Sequence, residues 1–167
     1  TGNPHSEITR AQIEAAADTT YADLRARHIA DHSALFSRVS LEVPRSANEG
    51  LPTDQRLIRF SEGDEDPSLV ALYFQYGRYL LMGSSRPGTI PANPQGLWCE
   101  HIQAPWNCDY HTDINVQMNY WPVEVANLSE CYEPLHRLIA SLVEPGEQTA
   151  RIHYEADGWV LHPITNV

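Results

Sequence analysis

The sequence predicts an all-α domain built from paired helices. Three observations point there. Apolar residues recur at three- and four-residue steps over residues 9–37, 67–85 and 128–142, the spacing of a helix face. Only one short stretch, Val39-Ser40-Leu41-Glu42-Val43, alternates as a strand does. The segments between are punctuated by proline, glycine and short polar side chains.

In chain order, residues 9–37 read as one helix, with Tyr21, Leu24, His28 and Leu35 on a shared stripe and Asp23, Arg25, Arg27 and Asp31 outside it. Val39–Val43 follows as a strand or extended connector, closed by Pro44 and the polar run Arg45–Gly50. That run is the natural boundary between residues 1–50, a helix and connector, and residues 51–167. Pro52-Thr53-Asp54 opens a short helix through Phe60, and Ser61–Asp66 is an acidic loop. Asp66 followed by Pro67 is a strong helix start, because the carboxylate caps free N–H groups and proline fits the first turn. The helix from Pro67 to about Ser85 is apolar nearly all round, so both its faces are expected to be covered. Residues 87–121 hold four prolines and little helical pattern, and a long ordered loop in a compact domain is usually functional. Leu128, Cys131, Leu135, Leu138 and Leu142 mark another amphipathic helix. A further helix is expected to restart at Pro145 and to end at Asp157-Gly158.

The 167 residues are 42% hydrophobic and 20% charged, a globular composition. No apolar run approaches the ~20 residues that cross a bilayer. All eleven basic residues are arginine, against 22 acidic ones, for a net charge of -11. A chain without lysine has no Schiff-base or phosphate-loop lysine chemistry, and its charge disfavours nucleic acid. A neutral, polar ligand suits it better. The chain starts at Thr1 and carries no basic-then-apolar leader, so both ends read as cut and the chain as a piece of a longer protein.

The chemistry concentrates in the long loop. Trp98, Trp106, Tyr110, Tyr120 and Trp121 stand there with the amides Asn93, Gln95, Gln103, Asn107, Asn115, Gln117 and Asn119, and no arginine. Aromatic faces stack on sugar rings, and amides both donate to and accept from hydroxyls. The plainer alternative is that these aromatics fill the core beneath the loop. If the segment is extended, His111, Asp113 and Asn115 share one face and could hold an attacking water. The alternative is that Asp113 and Asn115 do turn and capping work. A metal site from Cys99, His101, Cys108 and His111 is disfavoured, since their spacing is not a standard zinc pattern.

The runs Pro91-Ala92-Asn93-Pro94-Gln95-Gly96-Leu97-Trp98 and Pro105-Trp106-Asn107-Cys108-Asp109-Tyr110-His111-Thr112-Asp113-Ile114-Asn115-Val116-Gln117-Met118-Asn119-Tyr120-Trp121-Pro122 closely resemble the catalytic domain of glycoside hydrolase family 95. The resemblance implies an N-terminal fragment of an (α/α)6 barrel, a helical toroid, preceded by a short extended connector. It implies an inverting α-L-fucosidase that cleaves terminal, α-1,2-linked fucose from a fucosylated oligosaccharide or polysaccharide. No cofactor or metal, no nucleic acid and no membrane insertion are expected, and the full-length protein is expected to be secreted or periplasmic. An α-L-galactosidase of the same family and a non-catalytic sugar-binding domain are the alternatives. Asn115 matches the second of two family asparagines that orient the water, while Asp113 replaces the first. His111 matches a histidine that contacts fucose. Trp98, Trp106, Tyr120 and Trp121 are the expected sugar-binding aromatics. Pro94 stands where leucine is usual and Pro163 where a second histidine is expected. The resemblance puts the acid glutamate and the assisting aspartate beyond Val167, so the chain is expected to hold half a site and to be inactive alone.

Overall fold

A computed structural model describes residues 5–166, which are 57% helical and 4% strand. The chain is all-α, a fragment of a helical barrel, and divides into two compact units, Thr1–Arg38 and Val39–Val167.

The first unit holds helices α1 (His5–Ala17) and α2 (Tyr21–Phe36), so the single helix expected over residues 9–37 is corrected to two. Thr20 is the cause. Its extended backbone ends the first helix, and its hydroxyl oxygen accepts from the Asp23 N–H at 3.2 Å to start the second. Along α2, His28, His32 and Phe36 stack at successive turns, with centroids 6.2 and 5.0 Å apart.

The second unit opens with Val39–Val43, extended without strand pairing, and continues into α3 (Thr53–Ser61) and α4 (Pro67–Ser84). Asp66 lies at the junction. Its carboxylate accepts from the Leu69 N–H at 3.0 Å and from the Arg56 guanidinium at 2.8 and 2.9 Å, clamping α3 to the start of α4. Asp66 is 1% exposed, and the Arg56 pairing holds its carboxyl well below the usual carboxylate range. Leu69, Arg78, Leu81 and Met82 of α4 are buried, whereas Val70, Tyr73, Tyr76 and Tyr79 are exposed. The expectation that both faces are covered is therefore met on one face only within this chain.

After α4, residues 85–114 carry a 3-10 turn at Pro105–Cys108 and strand β1 (Tyr110–His111). Helix α5 (Asn115–Tyr120), a second 3-10 turn (Ser129–Tyr132) and α6 (Glu133–Tyr154) complete the helices. Leu128, Cys131, Leu135 and Leu138 are buried, as their spacing requires, and Leu142 is half-buried. The restart expected at Pro145 is also corrected, because α6 passes through it unbroken. Proline removes one helical hydrogen bond, but the apolar face continues across it through buried Leu138, Gly146 and Ala150. The helix ends at Glu155, whose φ is 47°.

The tail then folds back on α6. Trp159 packs over Gly146, where an added Cβ would come 3.1 Å from the indole, and the Val160 N–H donates to the Gly146 carbonyl. Strand β2 (Ile164–Thr165) pairs antiparallel with β1, Tyr110 opposite Thr165 and His111 opposite Ile164. This two-stranded ribbon is a feature that the helical periodicity did not announce.

Candidate active site

The loop is held by three side chains from its own C-terminal end. The Tyr120 hydroxyl accepts from the Ala92 N–H at 2.8 Å and lies 2.7 Å from Ser85 Oγ, which itself donates to the Cys131 carbonyl at 2.8 Å. A hydroxyl has one proton, so Tyr120 is the donor to Ser85. Tyr110 donates to the Pro91 carbonyl at 2.8 Å, and the Asn119 amide donates to the Asn93 carbonyl at 3.1 Å. Burial pushes the Tyr110 hydroxyl up to about 12 and raises that of Tyr120. Both therefore stay protonated donors.

Beyond these struts the backbone takes left-handed turns. Trp106, Asn107 and Cys108 all have φ near 54°, and Ile114 has φ 77°, conformations that cost about 1–3 kcal/mol each in residues other than glycine. The extended register ends at His111, and Thr112–Ile114 form a turn. His111, Asp113 and Asn115 therefore do not share one extended strand, because the Ile114 conformation redirects the chain into α5. Cross-ribbon bonds hold the turn: the Thr112 N–H donates to the Pro163 carbonyl at 2.8 Å, and its hydroxyl donates to the His162 carbonyl at 2.9 Å.

The expected site residues are distributed unevenly. His111 is half-buried on β1, its ring nearly perpendicular to that of Trp106, with centroids 5.7 Å apart and planes at 85°. Asp113 is exposed in the turn, and Asn115 is exposed as the first residue of α5. Trp106 and Trp121 are 74% and 61% exposed, and Trp98 is 49% exposed. Tyr120 is 1% exposed, with its hydroxyl committed to Ser85 and Ala92, so here it shapes the loop from beneath.

Among the described residues, Gln95 Oε1, Asp109 Oδ1 and His111 Nε2 are buried without a hydrogen-bond partner. Such atoms cost about 1–3 kcal/mol apiece when left unpaired. Gln95 is one of the loop amides expected to meet a sugar, whereas Asp109, inside the family-like run, carried no expected role. Their signal was polarity in a loop that the aromatics were already expected to bury. His162, whose ring lies 3.2 Å from the Tyr154 hydroxyl, also arrives beside the turn; only the neighbouring Pro163 had marked that place.

A separate groove of about 740 Å³ runs between the open face of α4, the loop Ala92–Trp98 and α5. Of the expected site residues only Trp98 lines it. Its walls at Tyr73, Phe74, Tyr76 and Leu80 are largely apolar, with Asn93, Gln95 and Asn119 adding amides.

Residues 20–167 match the family model of the glycosyl hydrolase family 95 catalytic domain. The chain belongs to glycoside hydrolase family 95. Proteins similar to it include "Alpha-L-fucosidase 2" of Arabidopsis thaliana, 46% identical over 153 residues, covering 89% of this chain and 18% of that protein. "Probable alpha-fucosidase A" of Aspergillus niger is 38% identical over 167 residues, covering 98% of this chain and 21% of the relative. The protein of the same name from Aspergillus oryzae is 34% identical over 170 residues, covering 99% and 24%. The chain thus spans about a fifth of the length of these relatives. The family-95 match includes the whole loop, with its struts, its strained turn and the three orphaned polar atoms.

Proposed function

We propose that this chain supplies the water-side half of the sugar site in an α-L-fucosidase that releases terminal, α-1,2-linked L-fucose from a fucosylated glycan. The reading rests chiefly on the family match running through the loop that carries His111, Asp113 and Asn115. The α-fucosidase names of the relatives support it, as do the exposed tryptophans, suited to a sugar face. His111 Nε2, buried and unpaired among the described residues, is suited to a sugar hydroxyl. His111 also favours fucose over L-galactose by its match to the family's fucose-contacting histidine.

The chemistry proposed is hydrolysis with inversion. A carboxylic acid protonates the leaving oxygen while water attacks the anomeric carbon from the opposite face. Asn115 orients that water through its amide, and Asp113 either orients it or takes its proton. The acid and an assisting aspartate come from sequence outside this chain, so the chain by itself is inactive. The reading carries with it a secreted or periplasmic location for the full-length protein.

The test is NMR of the early product when the full-length protein acts on an α-1,2-fucoside. β-L-Fucose forming first is the expected result. First-formed α-L-fucose would overturn inversion, and no hydrolysis with retained glycan binding would make this a sugar-binding domain instead.

A further inference from the structure

Thr112 stands between His111 and Asp113 with its N–H, hydroxyl and carbonyl all engaged. The N–H donates to the Pro163 carbonyl at 2.8 Å and the hydroxyl to the His162 carbonyl at 2.9 Å, while the Thr112 carbonyl accepts from the Gln117 side-chain amide at 2.7 Å. The first two bonds reach the tail, which is itself fixed to α6. There the Val160 N–H donates to the Gly146 carbonyl at 3.1 Å, and the His162 ring lies 3.2 Å from the Tyr154 hydroxyl. The third bond comes back from α5. The turn is thus pinned at one residue from two directions.

This pinning opposes a local strain. Ile114 has φ 77° and ψ -37°, a conformation that a β-branched residue takes only under constraint, and such strain persists only where the surroundings over-determine it. Asp113 and Asn115 flank Ile114, so the direction in which each is presented depends on that conformation being held. We propose, resting on the fucosidase reading above, that Thr112 is a positioning residue for the hydrolysis. Together with Gln117 it holds the Ile114 turn, and through the turn it sets where Asp113 and Asn115 meet the attacking water. Misplacing a reacting group by about 1 Å costs about 10²-fold in rate. Trp98, Trp106 and Trp121 lie outside the turn, so its loosening falls on kcat and spares KM.

The experiment measures kcat and KM on an α-1,2-fucoside, with the melting temperature, for the full-length protein and its Thr112→Val, Thr112→Ser and Gln117→Met variants. Valine keeps the shape of threonine and loses the hydroxyl, and serine keeps the hydroxyl. Thr112→Val is expected to lower kcat about tenfold, the rate equivalent of one hydrogen bond. KM and the melting temperature are expected to change little, because the lost bond is exposed to solvent. Serine is expected to recover most of the lost kcat. Gln117 is exposed on α5, and its variant tests the same pinning without altering the turn itself; it is expected to lower kcat in the same way. Combining Thr112→Val with Gln117→Met is expected to cost less than the product of the single losses, because both hold one turn. Unchanged kcat in Thr112→Val or in Gln117→Met, a loss that serine does not recover, or a loss that only tracks the amount of folded protein would each overturn the assignment and leave the fucosidase reading standing. No hydrolysis by the unmutated protein would overturn both.

Discussion

The Tyr120 hydroxyl stands 2.7 Å from Ser85 Oγ, joining the end of α5 to the residue that terminates α4. One proton on each hydroxyl sets the direction, Tyr120 to Ser85 to the Cys131 carbonyl, and the Ala92 N–H completes the chain. Everything from Ser85 to Tyr120 is thereby a loop with tied ends.

Tyr120→Phe is expected to destabilise the full-length protein by about 1–3 kcal/mol, because the Ala92 N–H and Ser85 Oγ lose a buried partner. Ser85→Ala is expected to cost less once Tyr120 is already Phe, since both act in one network. Urea unfolding of the two single variants and the double variant measures the coupling, and strictly additive losses would contradict the network.

The Arg56–Asp66 pair gives a pH dependence of known sign. Arg56 lowers the folded-state pKa of Asp66, so its contribution to stability is complete above the unfolded value, about 4, and is lost as pH falls through the folded one. Asp66→Asn is expected to lower the melting temperature at neutral pH, with the gap from the unmutated protein narrowing under acid. A constant gap from pH 7 down to pH 3 would mean that the Asp66 charge contributes nothing, since asparagine caps a helix about as well as aspartate does.

Gly96 has φ +66°, and a Cβ there would meet the Trp98 ring at 2.9 Å. Gly96→Ala is therefore expected to displace the Trp98 indole from Tyr79, which it now meets at 6.5 Å, and to cost about 1 kcal/mol or more from the backbone alone. A change in tryptophan emission that Trp98→Phe abolishes would report the displacement. An unchanged spectrum would mean that the ring does not rest there.

Asp113 separates its two proposed roles by substitution in the full-length enzyme. If it only orients the water, Asp113→Asn restores the usual family residue and is expected to keep most activity. If it accepts the proton, the same change is expected to lower kcat by about 10²-fold or more. Asp113→Ala is expected to be damaging in both cases, with KM less affected than kcat. Near-normal kcat in the alanine variant would remove Asp113 from the mechanism.

Much of this molecule was written locally. Asp66-Pro67 opened α4, the stripe Leu128-Cys131-Leu135-Leu138 foretold its own burial, and the run from Pro105 to Pro122 carried the family. These signals sit within a turn or two of the residues they act on, so the sequence alone was enough for them. The helix break before Thr20 is also local, but its signal is a single capping hydroxyl inside an apolar stripe that runs past it.

Tertiary structure decided the rest. Helix α6 runs through Pro145 because its apolar face is buried on both sides of the proline. Tyr120, written like a sugar-stacking aromatic, became a strut because Ser85 and Ala92 arrive at its hydroxyl from 35 and 28 residues away. The turn that takes His111, Asp113 and Asn115 out of simple alternation is held by His162 and Pro163, about fifty residues on. Alternation and helical spacing describe a chain's own backbone period, whereas these outcomes depend on partners that only folding brings within hydrogen-bond reach.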